Sequence, residues 1–433
     1  MIHRVFILLG LSLCLTTQSW AQTADQAGEQ ETIKALLQEI KELKSRVAAL
    51  EAKQTHEAGV GAAPQPAPTP PPIPAVETQP PVTEAGPFGI SRGIKFQGFG
   101  SVTYKATDAV PSELGALNGF RPGTAGNFTI GVGDLALFLT SQLTAKSMVL
   151  AEITFSEQIN GEFKSEVERL LLKYDANDSL KTSFGRFRTA TSYYNKTFHH
   201  GAWLQTAVDR PLVVEFTEHG GLIPSEATGV SVTGGIPSGK LGLNYIFEYG
   251  TPKTDRPQIT TTDAGDIAFN NGNETTAGLF FRPDGLPGLE IGGSFYHDRI
   301  SPAFSDVDSG LHFGESVVSA HVVYVTPHFE WLNEGFVIQH KEEETGHKFN
   351  TPAFYSLISN KFGRHWRPYF RYQYANASTG SPLFPDIGKR FGPSAGIRYD
   401  FNDYVALKTQ FDRTYRDPLP VFNDIQVQLA FRF

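Results

Sequence analysis

Residues 425–433 read Ile-Gln-Val-Gln-Leu-Ala-Phe-Arg-Phe. In an extended chain successive side chains point to opposite sides. Ile425, Val427, Leu429, Phe431 and Phe433 therefore share one face, while Gln426, Gln428, Ala430 and Arg432 share the other. A strand with an unbroken apolar face and a polar opposite face must meet lipid or a core on one side. The same alternation sets Ile94, Phe96, Val102 and Tyr104 against Lys95, Gln97, Ser101 and Thr103, and it recurs in 149–155, 241–249, 289–295, 366–374 and 405–411.

The links between these segments alternate in length. Short ones near 141–146, 175–179, 237–240, 283–287, 326–327, 363–365 and 401–403 are interleaved with longer ones near 106–126, 156–164, 189–226, 251–272, 298–314, 341–352, 375–389 and 414–422. Seven short and eight long links join sixteen strands. A soluble sandwich, the competing all-β architecture, has no reason to alternate so regularly, whereas outer-membrane barrels have short periplasmic turns and long outer loops. The expectation is an all-β fold: a transmembrane antiparallel β-barrel of about 16 strands over 93–433. Tyr104, Phe155, Tyr174, Tyr249, Trp366, Tyr399, Tyr404 and Phe433 fall near strand ends, which suits aromatic girdles at the two lipid interfaces.

Composition agrees. The 433 residues carry only 19% charged side chains but 42 Gly and 33 Phe. Typical soluble domains carry roughly 25% charge. The net charge of -8 disfavours a nucleic-acid partner, since phosphate binding needs a basic footprint.

Ahead of the barrel three further segments are expected. Residues 1–21 read as a secretory signal peptide, with Arg4 before the apolar run Val5 to Leu15 and a small-residue site at Ser19-Trp20-Ala21. Cys14 lies within it, so cleavage after Ala21 leaves no cysteine and no thiol chemistry. Within 22–54, Ile33, Ile40, Val47 and Gln54 occupy heptad a positions and Leu36, Leu43 and Leu50 occupy d, a short coiled coil whose a/d choice leans toward dimers. Residues 55–92 hold ten prolines and form a Pro-rich linker rather than a domain.

No phosphate-binding glycine loop, His-Glu-x-x-His helix, calcium loop or nucleophile elbow is present, so neither an enzyme nor a cofactor is expected. His199-His200 is the only adjacent histidine pair. Neighbours on a strand diverge, so no metal site is expected there. The longest link is the most informative. Tyr193, Tyr194, Asn195, Lys196, Phe198, His199, His200 and Trp203 make 189–226 too aromatic for a solvated loop and unusually long for a structureless one. A barrel of about sixteen strands has a lumen wide enough for water and solutes, so an inward fold of this segment would form the pore constriction. Packing against a neighbouring subunit is the alternative.

Taking the polar face of each strand as inward puts Lys95, Arg169, Lys173, Arg367, Arg371, Arg398, Lys408 and Arg432 in the lumen, against Glu152, Glu248, Glu290 and Asp412. Arg186 and Arg188 stand at the start of the long link. Such cations either favour anions in the pore or pair with acids across it as structural ion pairs.

Gly185-Arg186-Phe187 followed by Tyr193-Tyr194-Asn195 and Phe198-His199-His200-Gly201, with Phe431-Arg432-Phe433 closing the chain, resembles the phosphate-selective porin O and P family of outer-membrane porins. The resemblance covers about 93–433. It implies a trimer of sixteen-stranded barrels in the outer membrane of a Gram-negative-type bacterium, passing small solutes passively. Its arginine ladder does not map residue by residue onto this sequence. The functional expectation is thus a porin for small hydrophilic solutes leaning to anions such as phosphate, surrounded by outer-membrane lipid, with a periplasmic stalk that touches the cell wall or a periplasmic partner. A carbohydrate channel, with Tyr193, Tyr194, Phe198 and Trp203 as stacking surfaces, and a barrel-anchored envelope tether are the alternatives.

Overall fold

A computed structural model describes residues 93–108, 128–157, 162–198, 200–215, 221–252, 268–271, 273–304, 307–308, 312–381, 383–384, 387–417 and 420–433. The signal peptide, the coiled coil, the linker and His199 lie outside the described residues.

Nineteen antiparallel strands are present among the described residues and form one sheet. They are β1 Ile94–Thr107, β2 Phe128–Val132, β3 Leu135–Thr144, β4 Ser147–Glu157, β5 Phe163–Asn177, β6 Leu180–Arg188, β7 Glu226–Gly235, β8 Leu243–Pro252, β9 Ala268–Asn271 and β10 Glu274–Phe281, followed by β11 Leu289–Phe304, β12 Val307–Asp308, β13 Phe313–Val325, β14 Phe329–Glu342, β15 Lys348–Asn360, β16 Trp366–Asn376, β17 Lys389–Asp400, β18 Val405–Asp417 and β19 Phe422–Arg432. Three of these are fragments of longer staves. β2 and β3 run in succession along β1, β9 continues β10 along β11, and β12 is a two-residue pairing at the end of β11. The result is sixteen staves. Pairing of β1 with β19, from Phe99 opposite Arg432 to Thr107 opposite Asp424, closes the barrel and leaves no free edge.

The alternation read at 425–433 is the alternation of the wall. Gln426, Gln428 and Ala430 are buried inside, while Leu429 is 40% and Phe433 58% exposed on the outside. Ile94, Phe96, Val102 and Tyr104 are exposed on the same outer face and Ser101 is buried within. Apolar exposure continues around the barrel through Leu170, Leu172, Phe247, Leu279, Phe295, Val318, Val337 and Ile358. A soluble monomer does not present a continuous apolar belt of this extent to water, so this face meets lipid. No helix among the described residues is long and apolar enough to cross a membrane, and the crossing is made by strands.

The seam carries a specific packing device. The Phe433 ring lies over Gly98 and the Phe431 ring over Gly100, and a Cβ on either glycine would run into the ring above it. The two glycines thus leave room for the aromatic end of the last stave on the first.

One end of the barrel has short turns, such as those between Thr144 and Ser147 and between Asn177 and Leu180, and the other has long connections. At the short-turn end Trp366 packs edge-on to Tyr399 at 4.5 Å, and Tyr399 on Phe401 at 5.0 Å. This is the amphipathic cluster expected at a headgroup boundary.

Candidate functional site

The link from β6 to β7 turns into the barrel. Its first element is α1, Tyr193–Thr197, capped by Ser192, whose side chain accepts from the Asn195 N–H. Two 3-10 turns follow at Ala202–Leu204 and Leu212–Val214. Tyr194, Phe198, Ala207, Val213, Val214, Leu222 and Ile223 pack on inward Tyr355, Leu332, Phe336 and Tyr369, forming a large apolar cluster. The aromatic content of the segment is therefore spent on burial inside the lumen, which beats the entropy of ordering so long a link.

Three groups of polar contacts fix it. At its base, Asn195 Nδ2 donates to the carbonyls of Thr189 and Ser225 at 3.0 and 2.8 Å, tying the two ends of the segment together. On β14, Glu334 accepts from Ser192 Oγ (3.0 Å), Tyr193 N (2.7 Å), Tyr194 N (2.9 Å) and Tyr355 Oη (2.5 Å). On β16 to β18, Arg371 pairs with Asp209 at 2.7 Å, Arg398 donates to the carbonyls of Trp203 and Gln205 at 2.6 and 2.9 Å, and Lys408 donates to those of Ala202 and Ala207 at 2.5 and 3.0 Å. Carbonyls that would be orphaned in a buried segment are satisfied by cations of the wall.

The expected site residues occupy different environments. Tyr193 lines the open cavity, its ring 5.4 Å from His321. Tyr194 is buried edge-on to Tyr355 and donates from Oη to Gln205. Phe198 packs on Tyr194 at 4.5 Å, and Lys196 faces the cavity 3.4 Å from Glu248. Trp203 is buried with the guanidiniums of Arg398 and Arg432 at 4.7 and 5.5 Å from its ring. Among the expected lumen cations, Arg169 pairs with Glu152 at 2.6 Å, and Arg186 and Arg188 both pair with Glu226, at 2.5 and 2.7 Å. Lys173 lines the cavity, Arg367 donates to the Pro327 carbonyl, and Lys95 is exposed at the start of β1. Eight of the ten candidate cations, Arg432 among them through the Asp403 carbonyl, thus bind acids or carbonyls of the wall or of the inward segment.

Glu334, Asp209, Glu168 and Lys181 belong to the site without having been singled out by the sequence. Alternation gives the inward face of Glu334, but its partners lie about 140 positions away. Glu168 is hidden by a register shift between Glu152 and Ile153, which turns both Glu168 and Arg169 inward.

His200 is buried between Asp134 (Nδ1, 2.9 Å) and Glu168 (Nε2, 3.2 Å). Burial and the Arg188 guanidinium both oppose its charge, but hydrogen bonds to the two carboxylates overcome them and raise its pKa to about 10. A raised folded-state value stabilises below the unfolded value of roughly 6.5 and is lost as pH rises through the folded one. The expected outcome is a fall in the thermal midpoint of the wild-type protein between about pH 6.5 and 10 that is flattened in His200→Asn. Parallel melting curves for the two proteins would contradict it. Glu168, His200 and Glu226 bring ligand-type atoms together, but the Arg188 guanidinium sits among the same carboxylates and already supplies the positive charge.

Between α1 and the short-turn end the lumen stays open as a cavity of about 540 Å³. It is bounded by β1, β3 to β8, β10, β11 and β13, opposite the sector that the inward segment fills.

This architecture has solved counterparts. An anion-selective porin from Comamonas acidovorans superposes over 79% of this chain and 100% of its own, with TM-score 0.53 and 12% identity. The outer-membrane channel DcaP of Acinetobacter baumannii superposes over 81% of this chain and 99% of its own, with TM-score 0.53 and 11% identity. The chain has a porin-type barrel fold. No protein-family model and no curated protein matches the sequence. The likeness to the two structures is one of fold.

Proposed function

We infer that the protein is an outer-membrane channel through which small hydrophilic solutes diffuse passively, with a modest preference for anions, phosphate among them. The observation that carries this reading is the lining of the open cavity. Arg169, Lys173, Lys181, Arg188, Lys196 and Arg282 face it, against Asp175, Asp178 and Glu290. Glu248, which pairs with Lys196, is fully buried behind it, whereas Arg169 and Arg188 are buried together with Glu152 and Glu226. A passing solute meets chiefly Lys173, Lys181, Lys196 and Arg282, beside Asp175, Asp178 and Glu290, so the preference is modest and partly cancelled. The resemblance of 185–201 to phosphate-selective porins, and the anion selectivity of the Comamonas porin of like fold, point the same way.

In this reading the short turns face the periplasm, the segment 189–225 sets the size limit, and the barrel works as a homo-oligomer, a trimer by the resemblance. Residues 22–92 form the periplasmic stalk. A carbohydrate track is less well supported, because Tyr194, Phe198 and Trp203 are buried and leave Tyr193 alone on the cavity.

Reversal potentials in a salt gradient across a planar bilayer test the preference. The wild-type channel is expected to favour chloride over potassium, and Lys173→Glu with Lys181→Glu to reverse the sign. Clear cation preference in the wild-type channel would overturn the reading.

A further inference from the structure

The cavity is not lined as a simple water channel would be. Inward positions of a water-filled barrel have no need of apolar side chains, yet one sector places Met148, Leu150, Leu171 and Phe187 there. Leu150, Leu171 and Phe187 pack together with Ala227 as a separate apolar cluster in the wall. Across the cavity Ile246 and Phe280 also face inward, and Tyr193 projects from α1.

The stave register places charge directly beside this patch. Leu150 stands opposite Leu171, and one inward step nearer the short-turn end Met148 stands opposite Lys173. Lys173 is in turn opposite Ser183, and the next inward pair is Asp175 with Lys181. Apolar wall thus passes into ammonium groups within two inward positions, about 14 Å along a strand. Lys181 Nζ has no hydrogen-bond or ion-pair partner among the described residues, although Asp175 is its neighbour in register. The volume of about 540 Å³ lies in the range of small-molecule sites.

Resting on the anion-channel reading, we propose that this cavity binds amphipathic organic anions, an aromatic or branched apolar body lying against Met148, Leu150, Leu171 and Phe187 with its carboxylate toward Lys181. A bare phosphate or acetate gains only the charge. An aromatic carboxylate gains the charge and the removal of its ring from water. For a ring half covered by such a wall, that second gain corresponds to about tenfold in affinity.

The test is ion-current interruption in the refolded full chain, with benzoate, acetate, inorganic phosphate and the neutral analogue benzamide added on the short-turn side, and with the reversal potential read from the same membranes. Benzoate is expected to interrupt current at concentrations about tenfold lower than acetate or phosphate, and benzamide to be weaker than benzoate. Met148→Ser should remove most of the benzoate advantage over acetate. Lys181→Gln should remove most of the advantage of benzoate over benzamide. Both positions are half-exposed on the cavity wall. Equal interruption by benzoate and acetate in an anion-preferring channel overturns the proposal and leaves the channel reading standing. Cation preference with strong benzoate interruption overturns the anion reading and leaves the site standing.

Discussion

Replacement of residues 192–205 by a short Gly-Ser linker is expected to raise single-channel conductance by roughly threefold, since it removes α1 and the first 3-10 turn from the lumen of a sixteen-stranded barrel while Asp209, Val213 and Ile223 stay packed on the far wall. The barrel should survive the excision. Its wall is held by continuous strand pairing and by closure of β1 on β19, neither of which uses the segment. The side chains left behind, including Glu334, Arg398 and Lys408, lose their partners on 192–205. Water floods the space at the same moment, so they are rehydrated rather than stranded in a dry interior, and the penalty for an unpaired buried charge does not apply in full. The apolar cost is larger, because Tyr355, Leu332 and Phe336 lose the cover of Tyr194 and Phe198. A lower thermal midpoint together with a larger conductance is the expected pair of results. An unchanged conductance in a properly inserted barrel would remove 192–205 from the permeation path.

The fold was legible in the sequence because a membrane barrel is a period-2 object seen from both sides. Outer residues such as Leu429 and Phe433 meet lipid, and inner residues such as Gln426 and Gln428 meet the lumen. Averaged over both faces the chain scores as mildly polar, although its outer surface is apolar. The sixteen staves followed from counting turns, and the aromatic content of 191–206 showed that this link needed burial. Pairing was not legible. Arg371 reads as a lumen cation by alternation, but that it grips Asp209 depends on a fold bringing together positions 162 apart. Nor was phase legible past an irregularity. The register shift beside Glu152 changes which side chains turn inward and leaves no mark in composition. As a result a tally of inward cations overstated the charge offered to solute, since most of those cations bind acids or carbonyls of the wall or of the inward segment.

Glu334 concentrates that anchoring in one side chain, and its loss is the second large expected effect. Its carboxylate accepts from two backbone N–H groups of the first turn of α1, from the Ser192 hydroxyl and from Tyr355. Hydrogen bonds to a charged group contribute about 1.5–3 kcal/mol each, and donors left buried without an acceptor cost about 1–3 kcal/mol, so Glu334→Ala should weaken the seating of α1 by about 3 kcal/mol or more even after partial relaxation. The contacts on the far side, from Arg371, Arg398 and Lys408 to residues 202–209, are untouched. The segment should therefore stay attached at 202–209 while 190–197 detaches and reseats, so the expected trace is a flickering current with excursions toward the conductance of the excised channel. Glu334→Gln keeps one carbonyl acceptor for the α1 N–H groups and should show intermediate noise, which a merely space-filling role for the side chain would not predict. A quiet Glu334→Ala trace at wild-type conductance would mean that the Asn195 ties at the base and the far-side anchors together position α1 without Glu334. The constriction would then have to be assigned to Arg371, Arg398 and Lys408 and the backbone they hold.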